Sequence, residues 1–497
     1  ANGVDHGTYD LNGDGVVNVD DYVNDPRVRL AVASLPKSPG NGPFLHHVCS
    51  AAGTANGNGY YPTDITPEDL VVAFGHCQID ETTHELVNVT LVNGVQQCTG
   101  SQHYDNDHNG YPNDISGWNF NRNDNDPQTE QSVYEHFDGE SSTLVGEGNN
   151  GFKDIGLCPQ CRYIPIKAGD EAIDRPDRVA EAIVYAANLG VNVMDVTDAS
   201  LGLNQGVQDA INYAWNKGMV VVWASNDFES ADHTDGMFYA HVWPGNSVTG
   251  DHSTRDGATC PPAASSTTAF CTWVESNNTF LSRSSLTSYG PHALFSVPNT
   301  DGSTSTGTPT NAGVAALVVS EGRYATDRGE IAYPLNPDEV KQVVRASVTP
   351  ITQPCPVAEP CFSGPAGASF NIMYGYGRPN LPAAALLVDQ GRIPPTASID
   401  SPNWYQEFDP ANTGAVHVTA DVAARRAPNY TWQLQWAAGA QPLDTAWHTI
   451  GSGNGSAPQT VSGDINLADV CAAMTCDTSG YTIDSAGRTS IEQYDVS

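Results

Sequence analysis

The segment GSTSTGTPTNAGVAAL, residues 302–317, decides how the chain is read. A Ser/Thr/Gly-rich run passes directly into small apolar residues with no alternation of period two, which predicts a polar turn running into a buried helix through the Ala-rich run. A serine at a helix start lies among backbone N–H groups that have no helical acceptor, at the positive end of the helix dipole. That is a suitable place for a nucleophile whose reaction develops an oxyanion. The plainer alternative, a Ser/Thr-rich loop followed by a buried helix, accounts for the residues less well.

Outward from this segment, the upstream chain alternates short Val/Ile-rich runs with helical ones. Leu70–Phe74, Tyr163–Ile166, Val191–Val196 and Met219–Ala224 read as strands. Asp177–Leu189 carries Val179, Ile183 and Ala186 on one helical face, and Val207–Lys217 carries Ala210, Ile211 and Trp215. Strands alternating with helices predict an α/β fold with a parallel sheet covered by helices on both faces. Downstream, the Pro-rich stretch Arg392–Pro402 reads as a linker, after which the period changes to two: Val416, Val418, Ala420 and Val422, then Trp432, Leu434 and Trp436. Half-buried antiparallel strands follow, predicting an all-β sandwich of the immunoglobulin or fibronectin kind. The expected organisation is therefore 1–45 as an N-terminal calcium-loop segment, 46–392 as the α/β domain and 396–497 as the sandwich, with the closing IEQYDVS still strand-like.

Composition narrows the function classes. With 57 Asp+Glu against 21 Lys+Arg in 497 residues, the formal charge is -36. That balance disfavours nucleic acid or an anionic membrane as partner and favours calcium. The low Lys+Arg count and 47 Gly fit the long polar loops of exported proteins, and no stretch has the 18 or more apolar residues of a membrane span. Starting at Ala1, the chain reads as a mature or truncated product, secreted or at the cell surface, whose signal peptide is gone. The eleven cysteines fall mostly as near neighbours, Cys77 with Cys98, Cys158 with Cys161, Cys260 with Cys271, Cys355 with Cys361 and Cys471 with Cys476, leaving Cys49 over. Local disulfides suit an oxidising compartment; zinc or redox chemistry is the other meaning of Cys158-Pro-Gln-Cys161, but no second CxxC or His cluster accompanies it.

DLNGDGVVNVDD puts Asp10, Asn12, Asp14, Asn18 and Asp21 at positions 1, 3, 5, 9 and 12 of a calcium loop. Gly15 takes the sharp turn and Val16 offers its carbonyl. Calcium needs six to eight oxygens wrapped closely round it, and alternate residues of such a loop turn them inward. The last ligand is Asp rather than Glu, so the loop resembles the single loops of dockerin-type modules and predicts a structural Ca2+. A metal-free Asp/Asn/Gly turn is the alternative.

Residues 302–317 resemble the nucleophile segment of the subtilisin-like serine peptidases, G-T-S-x-x-x-P-x-x-A-G, with Thr304, Ser305, Pro309, Ala312 and Gly313 on the pattern and Ser303 in place of the first Gly. VVVWASNDF resembles the family's strand that ends in the oxyanion-hole Asn, here Asn226, with Ser225 replacing the usual Gly. GNNGFKDIGLCPQCRYIPIKAG resembles the stretch after the catalytic His; the family spacing back from Gly148 falls on His136. The family reads H-G-T-H-V-A-G there and this chain reads HFDGESS. DNDHNGYPNDISGWNF resembles the loop before that His, where Asp105, Asp107, Asn109, Asn113 and Asp114 make a second candidate calcium site. NPDEVKQVV followed by YGYGRPN resembles the family's penultimate helix and closing element. The resemblance runs in order over roughly residues 62–390 and implies a peptide-cutting domain with Ser305 as nucleophile, His136 as base and Asn226 as oxyanion donor.

The family's acid is the weak point. In LVVAFGHCQID, His76 occupies the Asp position and Asp80 the second Asp of the motif. A carboxylate holds the imidazole in one tautomer and stabilises its protonated form, which a neutral His76 cannot do. Loss of the acid alone in a subtilisin lowers turnover about 10⁴-fold, a worked example from this same family. Asp80 or Asp138 moving in would restore it. Two functions compete: a weak secreted endopeptidase acting on polypeptide, and an inactive pseudo-protease that binds peptide or assists surface assembly.

Overall fold

The computed structural model of the chain describes residues 89–92, 95–98, 109–112, 114, 117–125, 127, 136–146, 148, 155–169, 173, 175–197, 202–227, 234–244, 287–298, 304–351, 370–372, 374–474, 476, 482–483, 489–490 and 496–497. It divides into two compact units, Ala1–Ala182 and Ile183–Ser497. The strand expected at Leu70–Phe74 and the calcium loop at residues 10–21 lie outside the described residues.

In the first unit, β1 (Val89–Val92) and β2 (Val95–Cys98) pair as an antiparallel hairpin. β3 (Trp118–Asn119) and β4 (Ile166–Lys167) pair in parallel, with helix α1 (His136–Val145) between them in the chain. The run expected as strand from Tyr163 joins the ladder only at Ile166, because Pro165 has no N–H to give it. Gly117 lies against Pro165 with φ +95°, and a Cβ there would come 1.8 Å from the Pro165 carbonyl oxygen, so only glycine fits. The C-terminal carbonyls of α1 are satisfied from outside the helix: Gly156, Leu157 and Cys158 donate to Gly146, Thr143 and Leu144 at 2.9, 2.9 and 2.8 Å. The turn that supplies these donors is closed by the Cys158–Cys161 disulfide, as its spacing predicts.

Helix α2 (Pro176–Asn188) starts on a proline with Asp177 in its first turn and buries Val179, Ile183 and Ala186, the expected face. In the second unit β5 (Val193–Val196), β6 (Val220–Trp223) and β7 (Val242–Pro244) form a parallel sheet in that order. Between β5 and β6 runs α3 (Gln205–Asn216), whose N-cap Asn204 accepts from Gly206 and Val207. α3 buries Val207, Ala210, Ile211 and Ala214. β6 is buried along its whole length, the condition for an unbroken Val-Val-Val-Trp run. Against β5 and β6 packs α4 (Thr304–Asp327), in turn flanked by α5 (Pro337–Ser347) and α6 (Leu381–Asp389).

The closing element YGYGRPN threads between backbones. Tyr376 N donates to Leu294 O at 2.8 Å, and Arg378 exchanges hydrogen bonds with Thr349 at 2.8 and 2.9 Å. Gly375 at φ +63° lies so near Leu294 that a Cβ would come 2.2 Å from its carbonyl oxygen. The glycine is therefore a steric requirement.

Beyond α6, β8 (Thr396–Ser401) begins inside the stretch expected to be linker. Thr396 and Ser398 are buried and pair into the sheet, so the connecting segment shrinks to the residues around Pro394 and Pro395. β9 (Ala415–Ala423) lies between β8 and β12 (Gln459–Asn466) in one antiparallel sheet, and β10 (Tyr430–Trp436) and β11 (His448–Gly455) form another. Val416, Val418, Ala420 and Val422 of β9 share an apolar cluster with Leu434 and Trp436 of β10, Val461, and Leu467 and Val470 of α7 (Leu467–Met474), whose Cys471 is disulfide-bonded to Cys476. The period-two pattern is this cluster. The closing strand expected from the last residues reduces, among the described ones, to a bridge between Val496 and Ala438.

One carboxylate ties these strands to the α/β part of the second unit. Glu339, 2% exposed, completes the capping box of α5 with Asn336, and also accepts from Arg425 and Arg426 at 3.0 Å each. Both guanidinium groups lie over the Tyr333 ring, at 4.7 and 4.4 Å from its centroid. His292 stacks on Trp404 at 4.0 Å as a second contact. Removing one partner of a buried ion pair strands the other charge, so Glu339→Ala is expected to destabilise the chain by about 3 kcal/mol. Urea denaturation checks this, and a loss below about 0.5 kcal/mol would contradict the clamp.

Candidate active site

The centre of the second unit is the junction between the end of β6 and the start of α4. Asp227, just past β6, accepts from both the backbone N–H and the hydroxyl of Thr304, each at 2.6 Å. A carboxylate at a helix start satisfies an orphan donor and meets the positive dipole end. Ser305 and Asn226 are the residues adjacent in sequence to the two partners of this contact, so one interaction holds both in place.

Ser305 lies in the first turn of α4, half-buried, with its hydroxyl donating to the Thr197 carbonyl at the end of β5 at 3.4 Å. Pro309 has no N–H to return to the Ser305 carbonyl four residues earlier, which opens the helix ladder at that turn. The Thr308 hydroxyl occupies the Thr304 carbonyl instead, at 2.7 Å. Asn226 is held through its backbone: its carbonyl accepts from Ser288 N at 3.0 Å. Ser225, which stands where the resemblance expects Gly, is fully buried, and its hydroxyl accepts from the Ser288 hydroxyl at 2.9 Å. The extra side chain thus has a use, tying residues 287–288 to the loop. Asp227 and the Thr197 carbonyl escaped the sequence reading; an acid immediately after Asn226 was the only available sign.

Below this junction, on β5, both carboxylate oxygens of Asp195 are shielded from solvent and have no hydrogen-bond partner among the described residues. Burial pushes its pKa up to about 8.

In the first unit His136 is the first residue of α1, and its Nε2 lies 3.1 Å from Glu140 Oε1, one helical turn on. Glu140 is buried, 4% exposed, and His136 is 25% exposed. Phe137 stacks on Tyr163 at 5.7 Å, and the Ser142 hydroxyl returns to the Gly139 carbonyl at 2.8 Å. The residues that replace the family's small ones therefore include a buried carboxylate 3.1 Å from His136. His76 and Asp80 lie outside the described residues, as does the side chain of Asp138.

Of the second candidate calcium loop, Asp105, Asp107 and Asn113 lie outside the described residues, while Asn109 and Asp114 are brought together. Asn109 Nδ2 donates to Asp114 Oδ2 at 2.9 Å, and Asn109 Oδ1 accepts from Tyr111 N at 2.7 Å. Among the described residues, no group of three or more His, Cys, Asp or Glu is arranged to hold a metal ion, and no helix is long and apolar enough to cross a membrane.

A parallel α/β sheet with a serine in the first turn of a buried helix, beside the ends of two strands, has the layout of an α/β serine hydrolase. The subtilase family, Peptidase_S8, matches residues 75–377, and the chain belongs to it. Thermitase of Thermoactinomyces vulgaris is 27% identical over 214 residues, 43% of this chain and 70% of thermitase. The thermophilic serine proteinase of Bacillus sp. (strain AK1) is 30% identical over 213 residues, 42% of this chain and 48% of that protein, about half its length. Among solved structures, the prenylagaramide maturation protease PagA aligns with a TM-score of 0.36 at 18% identity, covering 51% of this chain and 82% of that one.

The Asp195 environment sets a pH dependence. The unfolded chain ionises this carboxyl near pH 4, whereas the folded chain keeps its proton to about pH 8. The folded state therefore holds the extra proton between these values, and stability falls as pH rises through that window, by at most about 1.4 kcal/mol per pH unit. Asp195→Asn is expected to match the parent near pH 4 and to melt progressively higher than it toward pH 8. A melting difference that does not vary with pH would contradict this.

Proposed function

We propose that the chain is a secreted, calcium-binding, subtilisin-like serine endopeptidase of low turnover. The observation that carries this reading is the Asp227–Thr304 contact, which holds Ser305 and Asn226 at one junction. Ser305 Oγ attacks the scissile carbonyl carbon of a polypeptide and gives its proton to His136. Asn226 and the Ser305 N–H hold the oxyanion; collapse of the adduct expels the amine, which takes the proton from His136, and water then releases the acyl group by the reverse sequence. Family membership and thermitase-like relatives support the peptidase class.

Ca2+ belongs to the same reading. The loop of Asp10, Asn12, Asp14, Val16, Asn18 and Asp21 would hold one ion and the loop containing Asn109 and Asp114 another, each stiffening the polypeptide without entering the chemistry. The strands from β8 onward are read as an immunoglobulin- or fibronectin-like sandwich, which in the pseudo-protease alternative is a further adhesive unit. The competing reading, a pseudo-protease that only binds peptide, draws on the Ser305 hydroxyl, whose proton goes to the Thr197 carbonyl rather than to an imidazole.

A fluorophosphonate probe separates the two. Labelling at Ser305, abolished by Ser305→Ala and slowed roughly 100-fold or more by Asn226→Ala, is the expected outcome. Folded, calcium-loaded protein that resists the probe would make this a binding module. Chelation is expected to lower the melting temperature, with added Ca2+ restoring it; an ion present at 100 times its Kd contributes about 2.7 kcal/mol. An unchanged melting point would remove calcium from the reading.

A further inference from the structure

A cavity of about 440 Å³ opens in the second unit between one face of α3 and the segment from Asp400 to Gln406, and its lining includes none of the residues at the Ser305 junction. Ligand pockets run from about 300 to 1,000 Å³, so the volume is sufficient for a small molecule. α3 contributes Gln205, Gln208, Asn212 and Asn216, spaced three or four residues apart along one helical face. Asp400, Asn403 and Gln406 come from the end of β8 and the loop after it, and Asp421 from β9. No Lys or Arg lines the cavity among the described residues.

The amides are oriented before any ligand arrives. Buried Gln208 accepts from Ala240 N at 2.8 Å and donates to Asn212 Oδ1 at 2.8 Å, which leaves Asn212 Nδ2 as a donor. Gln406 Oε1 accepts from Asn403 N at 3.2 Å and leaves its Nε2 as another. Acceptors are set out in the same way. Asn216 Nδ2 is given to the Asn212 carbonyl at 2.8 Å and Gln205 Nε2 to Asp209 at 2.8 Å, so the two amide oxygens remain. Asp421 has one oxygen on the Thr460 hydroxyl at 2.6 Å and the other left over. Trp215 stacks on His241 with ring centroids 4.5 Å apart and gives the cavity an aromatic wall.

This set of groups selects among ligands. Burial and the nearby Asp421 and Asp338 push Asp400 up to about 6, so at neutral pH it is mostly ionised and, with Asp421, repels anions. An apolar ligand would strand the amides. An organic cation suits the carboxylates but would face the fixed N–H groups of Asn212 and Gln406, which it has no lone pair to satisfy. A hydroxyl both donates and accepts. A saccharide carries several hydroxyls beside apolar C–H faces that pack on aromatic rings. We propose that this cavity binds a neutral saccharide, its hydroxyls accepting from Asn212 and Gln406 and donating to Gln205, Asn216 and Asp421.

The test applies the full chain, carrying a fluorescent label, to a printed panel of neutral, anionic and amine-bearing oligosaccharides. Asn216→Ala and Asn403→Ala accompany the parent, with thermal melts to show which proteins are folded. Binding is expected on neutral glycans alone, and each variant is expected to lose about tenfold in affinity for the best of them, as removal of a hydrogen bond does. If one variant does not fold, the other decides. Neutral glycans bound equally well by the parent and the folded variants would place the sugar elsewhere and overturn the proposal. Signal confined to amine-bearing glycans would make this a cation site, and a folded parent that binds nothing on the panel would leave the cavity without a sugar; either result also overturns it. Ser305→Ala is expected to bind as the parent does, so this outcome stands apart from that of the fluorophosphonate probe.

Discussion

The double hydrogen bond from Thr304 to Asp227 is the constraint on which the second unit turns. It joins the carboxyl end of a fully buried strand to the amino end of a buried helix. In parallel α/β folds, the strand ends and helix starts are where backbone donors converge and where side chains can be presented without breaking the core. Pro309 and the back-bonded Thr308 then weaken the helix ladder just past that point. Ser305 thereby acquires a fixed position without being packed away.

The chain is rich in acids and poor in bases, and three of its described carboxylates show how differently a shielded acid can be held. Glu339 is met by two guanidinium groups and a helix cap. Glu140 is met by an imidazole. Asp195 has no hydrogen-bond partner among the described residues and keeps its proton instead. Of these, Asp195 makes the fold sensitive to pH, because a carboxyl that keeps its proton when buried loses favour as pH rises.

Much of the second unit was legible in the sequence, because long apolar patterns and turn chemistry are local. The α3 face and the β9 alternation follow from residues a few positions apart, whereas NPDEVKQVV and YGYGRPN are legible through their likeness to the family. The strand at Thr396–Ser401 was obscured by the prolines on either side, which signal a break whether or not a short strand lies between them. Asp227 and Glu140 were obscured for another reason. The value of each comes from a partner: Thr304 lies 77 residues from Asp227, and Glu140 meets His136 only because residues 136–145 are helical. The five adjacent cysteine pairs were easier to read, and the two that fall among the described residues are joined.

The Glu339 clamp has a mechanical meaning. Arg425 and Arg426 come from the segment between β9 and β10, and Glu339 caps α5, which packs on the helix bearing Ser305. The sheet is joined to the helices not only through the short proline segment but also at this clamp and at the His292–Trp404 stack. A load on those strands is therefore borne in part by α5, the neighbour of the helix that bears Ser305.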